Sequence, residues 1–211
     1  SRFIQLNPEI SSNISYKDKL KVMSFNVRLF DLYNWKKNEE IKSKIIALIK
    51  DQKPDIVCLQ EYFYDNNKKF VTRENILEEL SFKYYHESFC SESNKNSMFG
   101  LATFSKYPII NKEKIEFKDE KSNHCMWSDI VFKKDTLRVF NAHLGSIRFN
   151  YSDYKIIGGK GRPIRLNQKK PKQNIINKLK IGFKNRSIQL KKLIPLIKDS
   201  PFKKIICCDL N

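Results

Sequence analysis

The chain has 211 residues, 40% of them hydrophobic and 30% charged, with a formal net charge of +18. That length fits one domain with a sizeable core, and the mean hydropathy of -0.56 argues for a soluble body. No stretch approaches the ~18 apolar residues that a membrane-spanning helix needs, which excludes an integral bundle.

No charged-then-apolar leader follows Ser1, so no signal peptide is visible, while the missing start Met leaves room for an upstream segment. Residues 1–18, with Pro8 and several Ser and Asn, read as an extended lead-in or linker, and residues 19–211 as the domain. Leu20–Asn26 reads as a strand. Ile41, Ile45, Leu48 and Ile49 then follow the helical period over residues 38–50, with Asn38 as the expected N-cap. Pro54 ends that pattern, and Asp55–Gln60 is a short strand of buried type. A strand–helix–strand unit of this kind makes its two strands parallel. A short helix is expected over residues 73–80.

The middle is β-rich. Phe82–Phe89, Ser97–Phe104, Lys114–Phe117, Trp127–Phe132 and Thr136–Asn141 are strand candidates, with a hairpin turn at Lys133-Lys134-Asp135. Residues 146–171 read as loop, rich in Gly, Pro and basic residues. A long amphipathic helix follows from Ile175 to Ile197, expected to kink or end near Pro195, and Lys203–Cys208 is a final strand. A β-rich middle flanked by βα units implies two packed sheets with helices outside. Neither GxGxxG nor GxxxxGK[ST] occurs, so those nucleotide-cradling loops have no support.

The charge is concentrated. Residues 155–204 carry sixteen Lys/Arg against one acid, Asp199, a local charge of +15. Such a field attracts polyanions: nucleic acid, an anionic lipid surface or phosphorylated small molecules. A solvated, Lys-rich face is the plainer reading of the same residues. The five cysteines, Cys58, Cys90, Cys125, Cys207 and Cys208, are odd in number and form no CxxC pair, so buried reduced thiols are expected. That leans towards a cytoplasmic compartment, and a membrane-associated domain in a bacterium fits equally.

Four polar motifs lie at the expected ends of apolar strands: Ser24-Phe25-Asn26, Leu59-Gln60-Glu61, Asn141-Ala142-His143-Leu144 and Asp209-Leu210-Asn211. Each alone has an ordinary structural explanation, such as a turn, a solvated strand end or a hydrogen-bonded histidine. Together they bring two carboxylates, amides and an imidazole to strand ends, where ligand sites gather in sheets of this kind. Carboxylate and amide oxygens suit a hard cation, and imidazole moves protons near neutral pH. No serine or cysteine nucleophile elbow is present, so the set fits metal-assisted phosphoryl chemistry better than acyl transfer.

Lys21–Asn26 (KVMSFN), Gln60-Glu61, Phe104–Ile109 (FSKYPI), Asn141–Leu144 (NAHL) and Cys208–Asn211 (CDLN) resemble, in order, the motifs of the endonuclease/exonuclease/phosphatase (DNase I-like) superfamily. That group includes abasic-site endonucleases, neutral sphingomyelinases, inositol-polyphosphate 5-phosphatases and tyrosyl-DNA phosphodiesterases. The resemblance implies a four-layer α/β sandwich of two mixed sheets flanked by helices. It implies hydrolysis of a phosphate ester by in-line attack of water, with Mg²⁺, or Mn²⁺ in its place, as Lewis acid. Glu61 would be the principal metal ligand, with Asn26 beside the metal and phosphate. His143 would hydrogen-bond a phosphate oxygen or assist the leaving group. Asp209 would orient or deprotonate the water, and Asn211 would bind the scissile phosphate. Asn141 would support the substrate site, and Tyr107 would pack rather than react.

The expected substrate is a phosphate ester, with nucleic acid favoured through the basic 155–204 segment and Phe149, Tyr151 and Tyr154 placed to stack bases. Lipid or inositol phosphates, and a non-catalytic polyanion-binding module, stand as alternatives. Similar bacterial members imply a membrane tether upstream of residue 1. The sequence departs from the family pattern at Cys208, where glycine is usual and where a side chain is expected to crowd the substrate. The family's closing Ser-Asp-His motif has no counterpart up to Asn211, so the expectation is a fold incomplete at its C-terminus, weakly active and marginally stable.

Overall fold

The structure is a computed structural model that describes residues 19–32, 40–67, 70, 72–90, 96–118, 121–147, 153 and 169–210. The expected lead-in 1–18, the Asn38 cap, most of the 146–171 loop with Phe149, Tyr151 and Tyr154, and Asn211 lie outside the described residues.

Among the described residues, eight strands form two four-stranded mixed sheets. The first has the order β1-β2-β4-β3 and contains β1 (Val22–Asn26), β2 (Ile56–Asp65), β3 (Tyr84–Phe89) and β4 (Ser97–Ser105). The second has the order β5-β6-β7-β8 and contains β5 (Ile109–Glu116), β6 (His124–Phe132), β7 (Asp135–His143) and β8 (Lys203–Asp209). Helices α1 (Ile41–Gln52) and α2 (Arg73–Leu80) cover the outer face of the first sheet, where Ile46, Ile49, Ile76 and Leu80 enter one core with Val57, Leu59, Tyr62 and Phe104. Helix α3 (Lys169–Lys198) lies on the outer face of the second, where Leu193 packs with Phe140, Ala142 and Leu144. The layers therefore run helices, sheet, sheet, helix, as expected.

The β1–α1–β2 unit is parallel, with Asn26 opposite Gln60. β7 and β8 are also parallel, with His143 opposite Asp209 and α3 as their crossover. The Lys133-Lys134 turn joins β6 to β7 as the sequence predicts, with Lys133 at φ 57°.

Three elements differ most from expectation. β2 does not stop at Gln60 but continues to Asp65, because a bulge between Gln60 and Tyr62 resets its alternation. Leu59 faces the outer core and Gln60 faces the other sheet. Glu61 takes up the extra position at φ 48°, and Tyr62 returns to the outer core against Phe30 and Phe104. Gly100 pairs with Tyr62 at this bulge, where a Cβ would stand 2.2 Å from the Ser88 carbonyl oxygen. β5 begins at Ile109, five residues before the expected Lys114, because pairing with β6 continues past its exposed polar residues. Finally, α3 ends near Pro195 as expected, at Lys198, but it begins at Lys169, six residues before Ile175. Pro195 removes one hydrogen bond in the last turns of an exposed segment, and the Asp199 N–H still reaches the Pro195 carbonyl at 2.8 Å.

Candidate functional site

Four strands deliver one polar group each to the same end of the sandwich. Asn26 ends β1, His143 ends β7 and Asp209 ends β8, as the sequence predicts. Glu61 departs from the prediction: it sits mid-strand, at the β2 bulge, rather than at a strand end. The bulge is what turns an acidic side chain out of a strand whose neighbours are otherwise buried.

The four groups meet. Asn26 Nδ2 donates to Glu61 Oε1 at 2.9 Å and to Asp209 Oδ2 at 2.6 Å. His143 Nε2 lies 3.8 Å from Glu61 Oε1 and 4.0 Å from Asp209 Oδ2. That nitrogen is buried and has no hydrogen-bond partner. The Asn26 amide is oriented from behind, because the Arg28 backbone N–H donates to its Oδ1 at 2.9 Å. This amide hydrogen bond comes from a short left-handed turn, Arg28–Asp31, whose four residues all have φ between 48° and 57°. Such a conformation costs roughly 1–2 kcal/mol per non-glycine residue. Burial of Phe30 and Asp31, and the Arg28–Asp31 ion pair at 2.5 Å, hold it in place.

Behind the cleft the two sheets are linked by buried amides. Gln60 Nε2 donates to Asn141 Oδ1 at 2.8 Å and approaches Ser24 Oγ at 3.2 Å. Asn141 Nδ2 donates to the Leu59 and Ala102 carbonyls at 3.2 and 3.0 Å. Asn141 has no exposed surface, so its side chain supports the site and is closed to direct substrate contact. The Leu144 N–H donates to the Asp209 carbonyl at 3.0 Å, which joins the His143 and Asp209 strand ends. Cys208 alternates with Asp209 and packs with the outer cluster beside α3, so its thiol points away from the cleft and does not crowd it. Burial raises its pKa to about 12. The five cysteines are not disulfide-bonded, and all but Cys208 are buried. Tyr107 packs edge-on against Phe132 at 5.0 Å.

A cavity of about 340 Å³ adjoins Glu61 and His143 and is lined by Leu29, Phe99, Leu101, Asn123 and His124 among others. His124 is buried and donates from Nε2 to the Ser88 carbonyl at 3.0 Å, while its Nδ1 stands 3.6 Å from Cys90 Sγ. Burial first, and Lys114 second, lower its pKa to about 4, so the imidazole is neutral at pH 7. Sequence reasoning passed over Gln60, Asn123 and His124 as site residues. Gln60 was next to a singled-out acid. Asn123 and His124 follow Lys121-Ser122 at the start of an apolar run and carried no local signal.

The donor set fits a hard divalent cation. Two carboxylates, each partly exposed, converge on a single amide beside a buried imidazole nitrogen that lacks a partner. Like charges held this close are stabilised by a cation between them. Among the described residues no group of three or more His, Cys, Asp or Glu is arranged to hold a metal ion, so the protein offers at most two carboxylates. That composition suits a hard divalent ion that keeps several waters.

A family model described as "Endonuclease/Exonuclease/phosphatase family" matches residues 23–176. Comparison with curated protein sequences gave no match. Among solved structures, the human Nocturnin catalytic domain with bound sulfate aligns at TM-score 0.58 and 19% identity, over 91% of this chain and 64% of that one. D. rerio TDP2 complexed with a single-strand DNA product aligns at TM-score 0.52 and 17% identity, over 89% and 58%. A β-hairpin deletion mutant of β toxin from Staphylococcus aureus aligns at TM-score 0.52 and 19% identity, over 92% and 67%. At these identities the likeness is one of fold, and the chain spans about two-thirds or less of each structure's length.

Proposed function

We propose that this chain, which belongs to the endonuclease/exonuclease/phosphatase family, hydrolyses a phosphate ester at the cleft formed by Asn26, Glu61, His143 and Asp209. One observation carries the reading. Two sheets bring two carboxylates to one amide and place an imidazole nitrogen that is buried and has no hydrogen-bond partner within 4.0 Å of both. That is costly to fold around unless a ligand completes it. The structural neighbours include one holding a sulfate and one holding a DNA product, both phosphate-like or phosphate-bearing ligands.

A divalent cation, Mg²⁺ or Mn²⁺, would be held by Glu61 with Asp209 beside it, and when bound supplies Lewis-acid polarisation of the phosphoryl oxygen. The residues of the chain do the rest. Asn26 Nδ2 fixes both carboxylates and is itself fixed by the Arg28 amide. Asp209 orients the attacking water and accepts its proton. His143, through Nε2, donates a hydrogen bond to a phosphoryl oxygen as charge develops there. The buried Gln60–Asn141 pair links the two sheets, so that Asn26 and Glu61 of one stay in reach of His143 and Asp209 of the other. Asn211 completes the Asp-x-Asn motif as a phosphate contact in this reading.

Hydrolysis of bis(p-nitrophenyl) phosphate tests it. The chain is expected to release nitrophenol with Mg²⁺ or Mn²⁺, to stop on chelation, and to lose the activity in Glu61→Ala. Turnover that survives both chelation and Glu61→Ala would overturn the proposal.

A further inference from the structure

Helix α3 carries ten Lys/Arg and no Asp or Glu over its 30 residues. It also exposes large apolar side chains: Phe183 at 61%, Ile194 at 45%, Ile176 at 44% and Leu190 at 38%. The two sets are ordered. At about 100° per residue, Ile176, Phe183, Leu190 and Ile194 fall within about 40° of one another on the helix. Exposed Lys180, Lys184, Lys191 and Lys198 form a second stripe about 75° further round. The core-facing stripe, Gly182, Arg186, Gln189 and Leu193, lies on the other side of the apolar one. The helix thus packs one face on the sheet and leaves an apolar stripe and a basic stripe open, with exposed Ile181, Ile188 and Leu196 beyond the basic one.

The apolar stripe also borders a groove of about 430 Å³, closed on its far side by Leu144 and Leu210. Those two residues follow His143 and Asp209 directly, so the open stripe lies next to the cleft. The helix is not long and apolar enough over any window to cross a membrane.

We propose that this face of α3 is a docking surface for an anionic phospholipid bilayer, lying in the interface with Phe183 and Leu190 in the acyl boundary and the lysine stripe on the headgroups. Charge complementarity and apolar exposure must be met by the same partner. A nucleic-acid backbone satisfies the lysines but leaves exposed aliphatic side chains in water. A second copy packed about a two-fold axis covers the apolar stripe but brings two lysine stripes of a +18 chain together. An anionic lipid surface satisfies both, because interfacial helices combine apolar burial with attraction of Lys to acidic headgroups. Docking there sets the neighbouring cleft against the headgroup layer.

Vesicle flotation tests this without reading activity, and so independently of the hydrolytic proposal. The chain is expected to float with phosphatidylglycerol-containing vesicles and not with pure phosphatidylcholine. Phe183→Ser with Leu190→Ser, and separately Lys180→Glu with Lys184→Glu and Lys191→Glu, should each weaken partitioning by about tenfold or more. A Phe183→Trp chain, which keeps the stripe apolar, should show added fluorescence that shifts blue on those vesicles and is quenched by brominated lipid. Absence of flotation would overturn the proposal. So would binding lost only with the lysines and matched on single-stranded DNA, which would make the surface a nucleic-acid one. A dimer in solution that Phe183→Ser dissociates would make the occupant a second copy.

Discussion

The two halves of the sandwich are finished differently on their outer faces. Outside the first sheet, α1 and α2 close over a core of fourteen buried hydrophobic residues among those described, rich in aromatics including Phe30, Tyr62, Phe63, Tyr64, Phe82 and Phe104. Outside the second sheet, α3 seals a smaller cluster of seven and leaves a stripe of its own large apolar residues in the open. The difference separates two uses of amphipathic helix. In the first half, apolar periodicity is spent on stability. In the second, only part of it is, and the remainder is combined with charge. The cleft draws on both, taking Asn26 and Glu61 from the sealed half and His143 and Asp209 from the open one.

The largest effect that tests this division is catalytic. Glu61→Ala should lower kcat/KM for a phosphodiester by about a thousandfold or more, the scale of lost transition-state charge stabilisation. Its melting temperature should stay near the parent's, because Glu61 is partly exposed. Equal loss of fold and rate would mean that the bulge is structural only.

Ile49 of α1 has no exposed surface. Ile49→Ala should cost about 3 kcal/mol in denaturant unfolding, from lost burial and the cavity left behind. Asn141→Ala should cost about 2 kcal/mol by stranding Gln60 Nε2 and two carbonyls, and it should also slow hydrolysis by loosening the sheets. A stable Asn141→Ala chain with normal kinetics would show that the buried amides do not set the cleft.

Smaller again is a pH effect that spans both halves. His86 of the first sheet meets Ser128 Oγ of the second at 2.9 Å, and burial first, with Lys112 second, lowers its pKa to about 4. His124 behaves alike. In the unfolded chain both titrate near their ordinary value of 6.5, so between about 6.5 and about 4 the unfolded state binds more protons than the folded one. Stability contributed by neutral histidine is therefore full above that window and is lost as pH falls through it, by on the order of 2 kcal/mol for each group. His124→Gln should flatten the slope of unfolding free energy against pH, and an unchanged slope would refute the assignment. The smallest expected effect is that of Phe183→Ser, which should alter stability in aqueous buffer by no more than about 0.5 kcal/mol. A large destabilisation would mean that this stripe belongs to the core after all.

The sequence by itself determined the number and order of most elements. Period-two runs such as Ser97–Phe104, the helical spacing of Ile41, Ile45, Leu48 and Ile49, and the crossover that makes β1 and β2 parallel follow from local pattern and chain geometry. It also placed Asn26, His143 and Asp209 at strand ends, because a polar residue that terminates an apolar run marks that boundary. The extension of β2 past Gln60 was not legible. A bulge is set by pairing with Leu101 and Gly100 on another strand, and no spacing within Leu59–Tyr62 records it. The same holds for Asn123 and His124, whose place beside Glu61 depends on how the second sheet packs on the first. Tertiary structure alone decided that four individually ordinary residues meet in one cleft. Contacts such as Asn26 to Asp209, 183 positions apart, exist only once both sheets are stacked and their registers are fixed by the buried Gln60–Asn141 link.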